Sequence, residues 1–200
     1  SLVGSEMCIR DRIYPLISIG IILSISPILW TFLKPYQQNR IQIFLNPDLD
    51  PLGRGYHIIQ SKIAIGSGGL KGNGFLEGSQ SSLDFLPEKE TDFVFAIFSE
   101  QFGFTGSILL ISLFFIMFLI PVLKTFKLTQ AFSKIILFVL SFKIFFEFLI
   151  NISMTIGILP VVGVALPFMS YGGSSLLSNL IICALLLNFM SINEKKRMFS

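Results

Sequence analysis

Residues 83–123 read LDFLPEKETDFVFAIFSEQFGFTGSILLISLFFIMFLIPVL, and this stretch decides the fold. Its first half carries five carboxylates, whereas the part from Phe102 to Leu123 carries none and is mostly apolar. Because about 20 apolar residues span the hydrocarbon core of a bilayer, the second part predicts a transmembrane helix. The acids therefore lie at the border between a membrane and the aqueous phase.

The composition of the whole chain is typical of a membrane protein. Hydrophobic residues make up 52% of the 200 residues, the mean hydropathy is +0.76, and 22 residues are phenylalanine. Apolar segments at about 13–33, 93–123, 135–159 and 174–190 predict an all-α integral membrane protein with about four transmembrane helices. The net charge of +3 is small and scattered, which argues against nucleic-acid binding.

Residues 1–12 show no pattern continuous with the rest of the chain, and they resemble the read-through of a sequencing adapter. We therefore expect them to be non-native and residues 13–200 to form the membrane domain. This exclusion removes Cys8 and leaves Cys183 inside a predicted span, so no disulfide framework or cysteine metal cluster is expected. With no recognisable start, the chain is expected to be the C-terminal part of a larger protein.

Basic residues beside the spans predict one orientation in the membrane. Lysine and arginine are enriched in short cytoplasmic connections, so the basic run 195–197 places the C-terminus in the cytoplasm. The connection 124–134 then lies inside, with three lysines and no acid, and the uncharged loop 160–173 lies outside. Residues 34–92 accordingly form a large extracytoplasmic loop.

This outer loop combines an apolar pattern with many glycines. Apolar residues between Tyr56 and Ile65 predict one or two short amphipathic helices at the membrane interface. Eight of the sixteen glycines fall between Gly53 and Gly78, which indicates tight turns and close backbone approach, and a flexible linker is the alternative. The stretch GSGGLKGNG (66–74) fits neither the Walker nor the dinucleotide spacing, so no nucleotide is expected.

Polar residues recur at intervals of four on two predicted helices. A helix that starts near Thr91 would hold Asp92 in its first turn and Glu100 on the same face, where helix capping and catalysis are both open interpretations. The second set, which we call the α-stripe, is Lys143, Glu147 and Asn151. An internal ion pair with hydrogen bonds is one interpretation of it, and a proton or substrate pathway is the other.

The segment before the last span reads LPVVGVALPFMSYGGSS (159–175) and carries no charge. Its two prolines exclude one unbroken helix. Hydroxyl and backbone N–H groups in its second half could hold phosphate or sugar oxygens, and these candidates are Ser170, Tyr171, Gly172, Gly173 and Ser174. A re-entrant turn capped by a serine is the alternative.

Four segments, in order, resemble the SEDS (shape, elongation, division and sporulation) family: KPYQQNR (34–40), FLNPDLDPLGRGYHIIQSKIAIGSGG (44–69), DFLPEKETDFVFA (84–96) and NISMTIGILPVVGVALPFMSYGGSS (151–175). The likeness is greater to the RodA-like elongation branch than to the FtsW-like division branch. It implies a ten-span fold of which this chain holds about the last four spans. It also implies a peptidoglycan glycosyltransferase that polymerises lipid II at the outer face of the bacterial cytoplasmic membrane.

The resemblance further implies roles for individual residues. The acid of the family's TDF motif falls on Asp92, which would act as general base on a sugar 4-hydroxyl while undecaprenyl pyrophosphate leaves. Lipid II contacts would come from Arg40, Lys62, Asp84 and Glu88 together with residues 170–174. A divalent cation, Mg²⁺ or Mn²⁺, would help neutralise the leaving group, and a class B penicillin-binding protein would be the partner.

Two other functions remain open at this point. The first is a flippase for lipid-linked precursors, with the α-stripe along its path, and the second is a non-catalytic scaffold for a penicillin-binding protein. His57 is the only histidine, and we expect it to be a surface residue. The chain alone is expected to insert but to lack activity, because intramembrane polar groups need partners from further helices.

Overall fold

The computed structural model describes residues 31–51, 53–75, 77–78, 91–128 and 130–198. This part contains five α-helices with described bounds and no β-strand, with a single 3₁₀ turn at Pro47–Leu49, and residues 31–32 are also helical. The helices are α1 (Pro35–Leu45), α2 (Arg54–Ser67), α3 (Val94–Thr125), α4 (Ala131–Ile156) and α5 (Gly173–Met198). The described chain is therefore all-α, and the predicted span 13–33 lies almost wholly outside the described residues.

The chain separates into two compact units, residues 1–42 and 43–200. In the described part of the first unit, α1 begins at Pro35, and the Arg40 guanidinium lies 6.0 Å from the centre of the Tyr36 ring. The second unit contains the end of α1 and all of α2 to α5. Asp92 and the turn 170–174 belong to this second unit.

Helices α3, α4 and α5 are long and apolar enough to span a membrane, over Val94–Thr125, Ala131–Ile156 and Gly173–Ser191. Stacked aromatic rings join α3 to α4, with centroid distances of 4.2 Å for Phe114–Phe148 and 4.4 Å for Phe118–Phe145. These pairs run in opposite directions along the two helices, so α3 and α4 are antiparallel. Their outward faces expose large apolar side chains, as expected for surfaces in contact with lipid.

Helix α3 is broken at Gly103, whose dihedral angles of φ 66° and ψ −164° are essentially confined to glycine. Before the break, residues 94–102 bury Phe95, Ala96, Ser99 and Glu100 in the protein. After it, residues 104–125 extend about 33 Å at 1.5 Å per residue, which matches a hydrocarbon core about 30 Å thick. The break thus separates a protein-buried segment from a membrane-length helix.

The glycine-rich loop after α2 closes this break. A Cβ atom on Gly103 would lie 2.3 Å from the Gly72 nitrogen, so the two backbones are in direct contact. Four backbone hydrogen bonds connect the loop to both sides of the break: Asn73 N to Glu100 O (3.0 Å), Gly74 N to Gln101 O (3.2 Å), Phe104 N to Gly69 O (2.9 Å) and Thr105 N to Leu70 O (3.2 Å). Because unpaired backbone groups are costly near lipid, residues 68–74 act as a plug for the break. This segment is ordered, so the flexible-linker alternative is wrong for it.

Helix α2 packs against α3 and α4 through a face of small and medium-sized side chains. Ile58, Ser61 and Ala64 are buried at intervals of three, and the Ser61 hydroxyl donates a hydrogen bond to the Thr155 carbonyl of α4 (2.5 Å). Ile63, on the other side of α2, is 47% exposed. The predicted amphipathic segment is therefore one helix with an inner face fitted to the bundle.

A polar network joins α4 to α5. The Lys143 ammonium donates hydrogen bonds to Glu147 Oε2 and to Asn179 Oδ1, each at 2.9 Å. Asn179 is buried, with 1% of its surface exposed. The internal ion pair, one of the two interpretations of the sequence, is present within α4, and the hydrogen bond from Lys143 to Asn179 joins α4 to α5.

Candidate active site

Asp92 lies two residues before the start of α3 at Val94. Phe93 occupies the N-cap position and makes no side-chain capping bond, so the expectation that Asp92 belongs to the first turn is wrong. The physical reason is that the backbone here is held from outside the helix. Asn151 Nδ2 donates a hydrogen bond to the Asp92 carbonyl (3.0 Å), and the Ser170 hydroxyl donates one to the Thr91 carbonyl (2.5 Å).

The Asp92 carboxylate lies against the loop between α4 and α5. A Cβ atom built on Gly163 would be 3.3 Å from Asp92 Oδ2, and Gly163 itself has a φ of +77° that favours glycine. Asp92 is partly buried, so the residue as a whole keeps some access to the exterior. A carboxylate placed in this way can accept a proton from a bound hydroxyl.

An open cavity of about 550 Å³ lies between the start of α3 and the loop before α5. This volume is within the range of small-molecule sites. The lining contains Val94, two positions after Asp92, and four of the five predicted turn residues; it consists of Val94, Phe168, Met169, Ser170, Tyr171, Gly172, Gly173 and Leu176. The structure therefore brings the predicted turn and the start of α3 together.

The predicted turn residues differ in how much of them is accessible. Tyr171 is 79% exposed, whereas Ser170 is 7% exposed. The Ser170 oxygen accepts a hydrogen bond from the Leu166 nitrogen (2.7 Å) in addition to the bond that it donates. Helix α5 begins at Gly173, and Ser174 is exposed in its first turn.

Lys62 projects from α2 toward the end of α4. A Cβ atom on Gly157, which caps α4, would lie 2.7 Å from Lys62 Nζ. The ammonium therefore lies beside the negative end of the α4 dipole. Lys62 and Asp92 thus both contact the loop after α4, at Gly157 and Gly163 respectively.

The remaining predicted ligands are placed as follows. Arg40 belongs to the first compact unit, on α1. Asp84 and Glu88 lie outside the described residues. Among the described residues, no group of three side chains of the metal-ligand types comes together, so the divalent cation remains a sequence-based prediction.

Two residues near Asp92 have positions that the sequence did not indicate. His57 is partly buried on α2, its ring centre is 6.1 Å from that of Phe93, and its Nδ1 is buried without a hydrogen bond. The expectation of a surface histidine is therefore wrong. Asn151 is fully buried and bonds to the backbone on both sides of the site, since it also donates to the Val164 carbonyl (2.7 Å).

Residues 8–196 match the family model of the FtsW, RodA and SpoVE proteins, described as "Cell cycle protein". The chain belongs to this family. It is 44% identical over 185 residues to the peptidoglycan glycosyltransferase MrdB of Escherichia coli (strain K12), covering 92% of this chain and 49% of MrdB. It is 46% identical over 164 residues to the peptidoglycan glycosyltransferase RodA of Treponema pallidum (strain Nichols), covering 82% of this chain and 37% of that protein.

A similar fold is found among solved structures. One chain of a peptidoglycan synthase complex that coordinates polymerization and crosslinking matches with a TM-score of 0.62 and 31% identity, covering 89% of this chain and 48% of that one. The predicted family is thus confirmed, and the chain is a multi-pass membrane protein of this family. It spans at most about half the length of the relatives that it matches.

Proposed function

We propose that this family member works as a peptidoglycan glycosyltransferase, which polymerises lipid II into glycan strands at the outer face of the bacterial cytoplasmic membrane during cell elongation. The position of Asp92 carries the proposal. This partly buried acid lies two residues before Val94, which begins an apolar helix and lines an open cavity. The names of MrdB and RodA support the same reaction class.

In the proposed reaction, Asp92 acts as the general base. The 4-hydroxyl oxygen of one sugar attacks the anomeric carbon of another, and the hydroxyl proton passes to the Asp92 carboxylate. The new glycosidic C–O bond forms while the bond from the anomeric carbon to the pyrophosphate breaks. Undecaprenyl pyrophosphate leaves with the electron pair of that bond, so no nucleotide is consumed.

The cavity that Val94 lines, two residues after Asp92, is suited to the polar part of such a substrate. Gly172 and Gly173 line it at the start of α5, where backbone N–H groups and the helix dipole favour phosphate oxygens. The exposed Tyr171 ring offers a surface for a sugar. We assign these residues, with Ser174 and Lys62, to the lipid II site, and Arg40, Asp84 and Glu88 remain predicted contacts.

Orientation and partners belong to the same proposal. A cytoplasmic C-terminus would place Asp92 and the loop 157–172 on the outer side, because both lie at the opposite end of α5. The match to a chain of a peptidoglycan synthase complex supports a class B penicillin-binding protein as partner. A divalent cation would assist departure of the pyrophosphate.

The test compares Asp92→Asn with Asp48→Asn in the protein expressed from its complete reading frame. Asp48 is exposed on the 3₁₀ turn and does not line the cavity, and Asp48→Asn is the same chemical change. With purified lipid II in detergent, Asp92→Asn should lower the polymerisation rate at least about 100-fold, while Asp48→Asn stays near the wild-type rate. Wild-type polymerisation by Asp92→Asn would refute the assignment of the base.

The same assay separates the proposal from its alternatives. Glycan strands made in micelles require an enzyme, because a flippase needs two compartments and a scaffold makes no product. The α-stripe gives the flippase no support, since Lys143 is paired with Glu147 and Asn179 within the bundle. A purified wild-type protein that binds lipid II but never polymerises it would contradict the enzyme assignment.

A further inference from the structure

Two consecutive backbone carbonyls before α3 are held by side chains that are distant in sequence. The Asp92 carbonyl accepts a hydrogen bond from Asn151, 59 positions away, and the Thr91 carbonyl accepts one from Ser170, 79 positions away. Asn151 is 0% exposed and Ser170 is 7% exposed, so water competes poorly for either bond. The peptide unit that carries Asp92 is therefore fixed from two directions.

Both donors are also tied to the loop between α4 and α5. Asn151 Nδ2 uses its second hydrogen for the Val164 carbonyl (2.7 Å), next to Gly163, against which the Asp92 carboxylate lies. The Ser170 oxygen accepts the Leu166 N–H in the same loop (2.7 Å). The Asn151 amide and the Ser170 hydroxyl thus hold both the backbone at Asp92 and the loop that contacts the Asp92 carboxylate.

The hydrogen bonds that Ser170 already makes argue against this residue as a ligand for phosphate. A serine hydroxyl has one hydrogen, and the structure commits it to the Thr91 carbonyl. Phosphate oxygens only accept hydrogen bonds, so Ser170 would have to release Thr91 before it could bind one. Asn151 likewise has both amide hydrogens committed, to Asp92 and Val164.

We propose that Asn151 and Ser170 are positioning residues, which set the Asp92 carboxylate for proton transfer without touching the substrate. This inference rests on the proposed role of Asp92 as general base. It reassigns Ser170 from binding the substrate to placing the base, and it gives Asn151 a function separate from the Lys143–Glu147 ion pair. A displacement of about 1 Å in such a group can lower a rate about 100-fold.

The test uses steady-state kinetics with lipid II, with kcat referred to the amount of folded, monodisperse protein. Ser170→Ala removes only the hydroxyl, and Ser141→Ala is its matched control, because the buried Ser141 hydroxyl bonds to Leu137 within α4. Ser170→Ala should lower kcat on the order of 10-fold or more with KM within about twofold of wild type. Ser170→Thr, which keeps the hydroxyl, should recover most of kcat, and Ser141→Ala should change neither constant.

A second pair provides an independent arm. Asn151→Ala should lower kcat at constant KM, whereas Asn179→Ala removes an equally buried amide that lies in the Lys143 network and should leave kcat of the folded fraction near wild type. In an Asp92→Asn background, neither Ser170→Ala nor Asn151→Ala should lower the residual rate further. A further fall of the residual rate in that background would indicate a general loss of structure, because Asp92 is no longer there to be positioned.

The outcomes distinguish this inference from the proposed function. If the Asp92→Asn protein were active, Asp92 would not be the general base, and Asn151 and Ser170 would have no base to position. An inactive Asp92→Asn protein together with an unchanged kcat and a raised KM for Ser170→Ala would return Ser170 to the substrate site and overturn the inference. Equal losses in Ser170→Ala and Ser141→Ala would overturn it as well, since the effect would then be structural.

Discussion

Replacement of Gly103 by alanine is the most direct test of the plugged helix break. A Cβ atom at this position would lie 2.3 Å from the Gly72 nitrogen and 2.8 Å from the Leu70 oxygen. Both neighbours are backbone atoms, so the plug itself must move. The φ of +66° adds strain for any residue with a side chain.

The expected loss of stability follows from these two effects. A non-glycine residue in this region of φ and ψ costs about 1–3 kcal/mol. Displacing the plug breaks at least the two hydrogen bonds donated by Phe104 and Thr105, each worth about 1 kcal/mol. The sum is about 3–5 kcal/mol, which corresponds to a fall in Tm of roughly 6–20 °C for a protein of this size.

Thermal unfolding in detergent, followed by the loss of the monodisperse peak, measures this change. Gly66→Ala is the matched control, because a Cβ atom on Gly66 meets nothing within 4 Å and alanine favours its helical position in α2. Gly66→Ala should keep or slightly raise Tm. A Tm for Gly103→Ala equal to that of Gly66→Ala would refute the role of residues 68–74 as a plug.

Two further predictions concern the Lys143–Glu147 ion pair and the contact between Gly163 and Asp92. Exchange of Lys143 and Glu147 should leave protein abundance and activity nearly unchanged, because the Asn179 amide can donate to a carboxylate as well as accept from an ammonium. If the exchange abolished abundance and activity while each single neutral variant was tolerated, a directional pathway would be favoured. Gly163→Ala should lower kcat roughly 10-fold with little change in KM, since its Cβ would press on Asp92 Oδ2 at 3.3 Å from a strained backbone. Kinetics identical to wild type would show that this contact does not matter.

The apolar helices could be predicted from the sequence because composition and length determine them. The residues at which the helices end could not be predicted as well. The apolar stretch that predicts a helix over 135–159 continues through Ile158 and Leu159, but α4 ends at Ile156 because Gly157 adopts a left-handed conformation with a φ of 82°. Hydrophobicity alone does not report such a backbone reversal.

The hydrogen bonds that hold the candidate site could not be predicted from the sequence, for a different reason. Helical spacing placed Asn151 with Lys143 and Glu147 on a face that avoids lipid, but it could not identify what each residue meets there. The partners of Asn151 are the carbonyls of Asp92 and Val164, and a carbonyl is present in every residue. The break in α3 was hidden in the same way, because its partners in residues 69–74 are also backbone groups.

The plug and the placement of Asp92 also differ in when they can form during synthesis. The plug and the break are about 30 residues apart and both leave the ribosome before α4, so they can pair as soon as α3 enters the membrane. The bonds from Asn151 and Ser170 must wait until α4 and the loop after it have been made. A nascent chain that stops after α3 would carry Asp92 without the two bonds that hold it, so this residue would be placed only after the loop that contains Ser170 has been made.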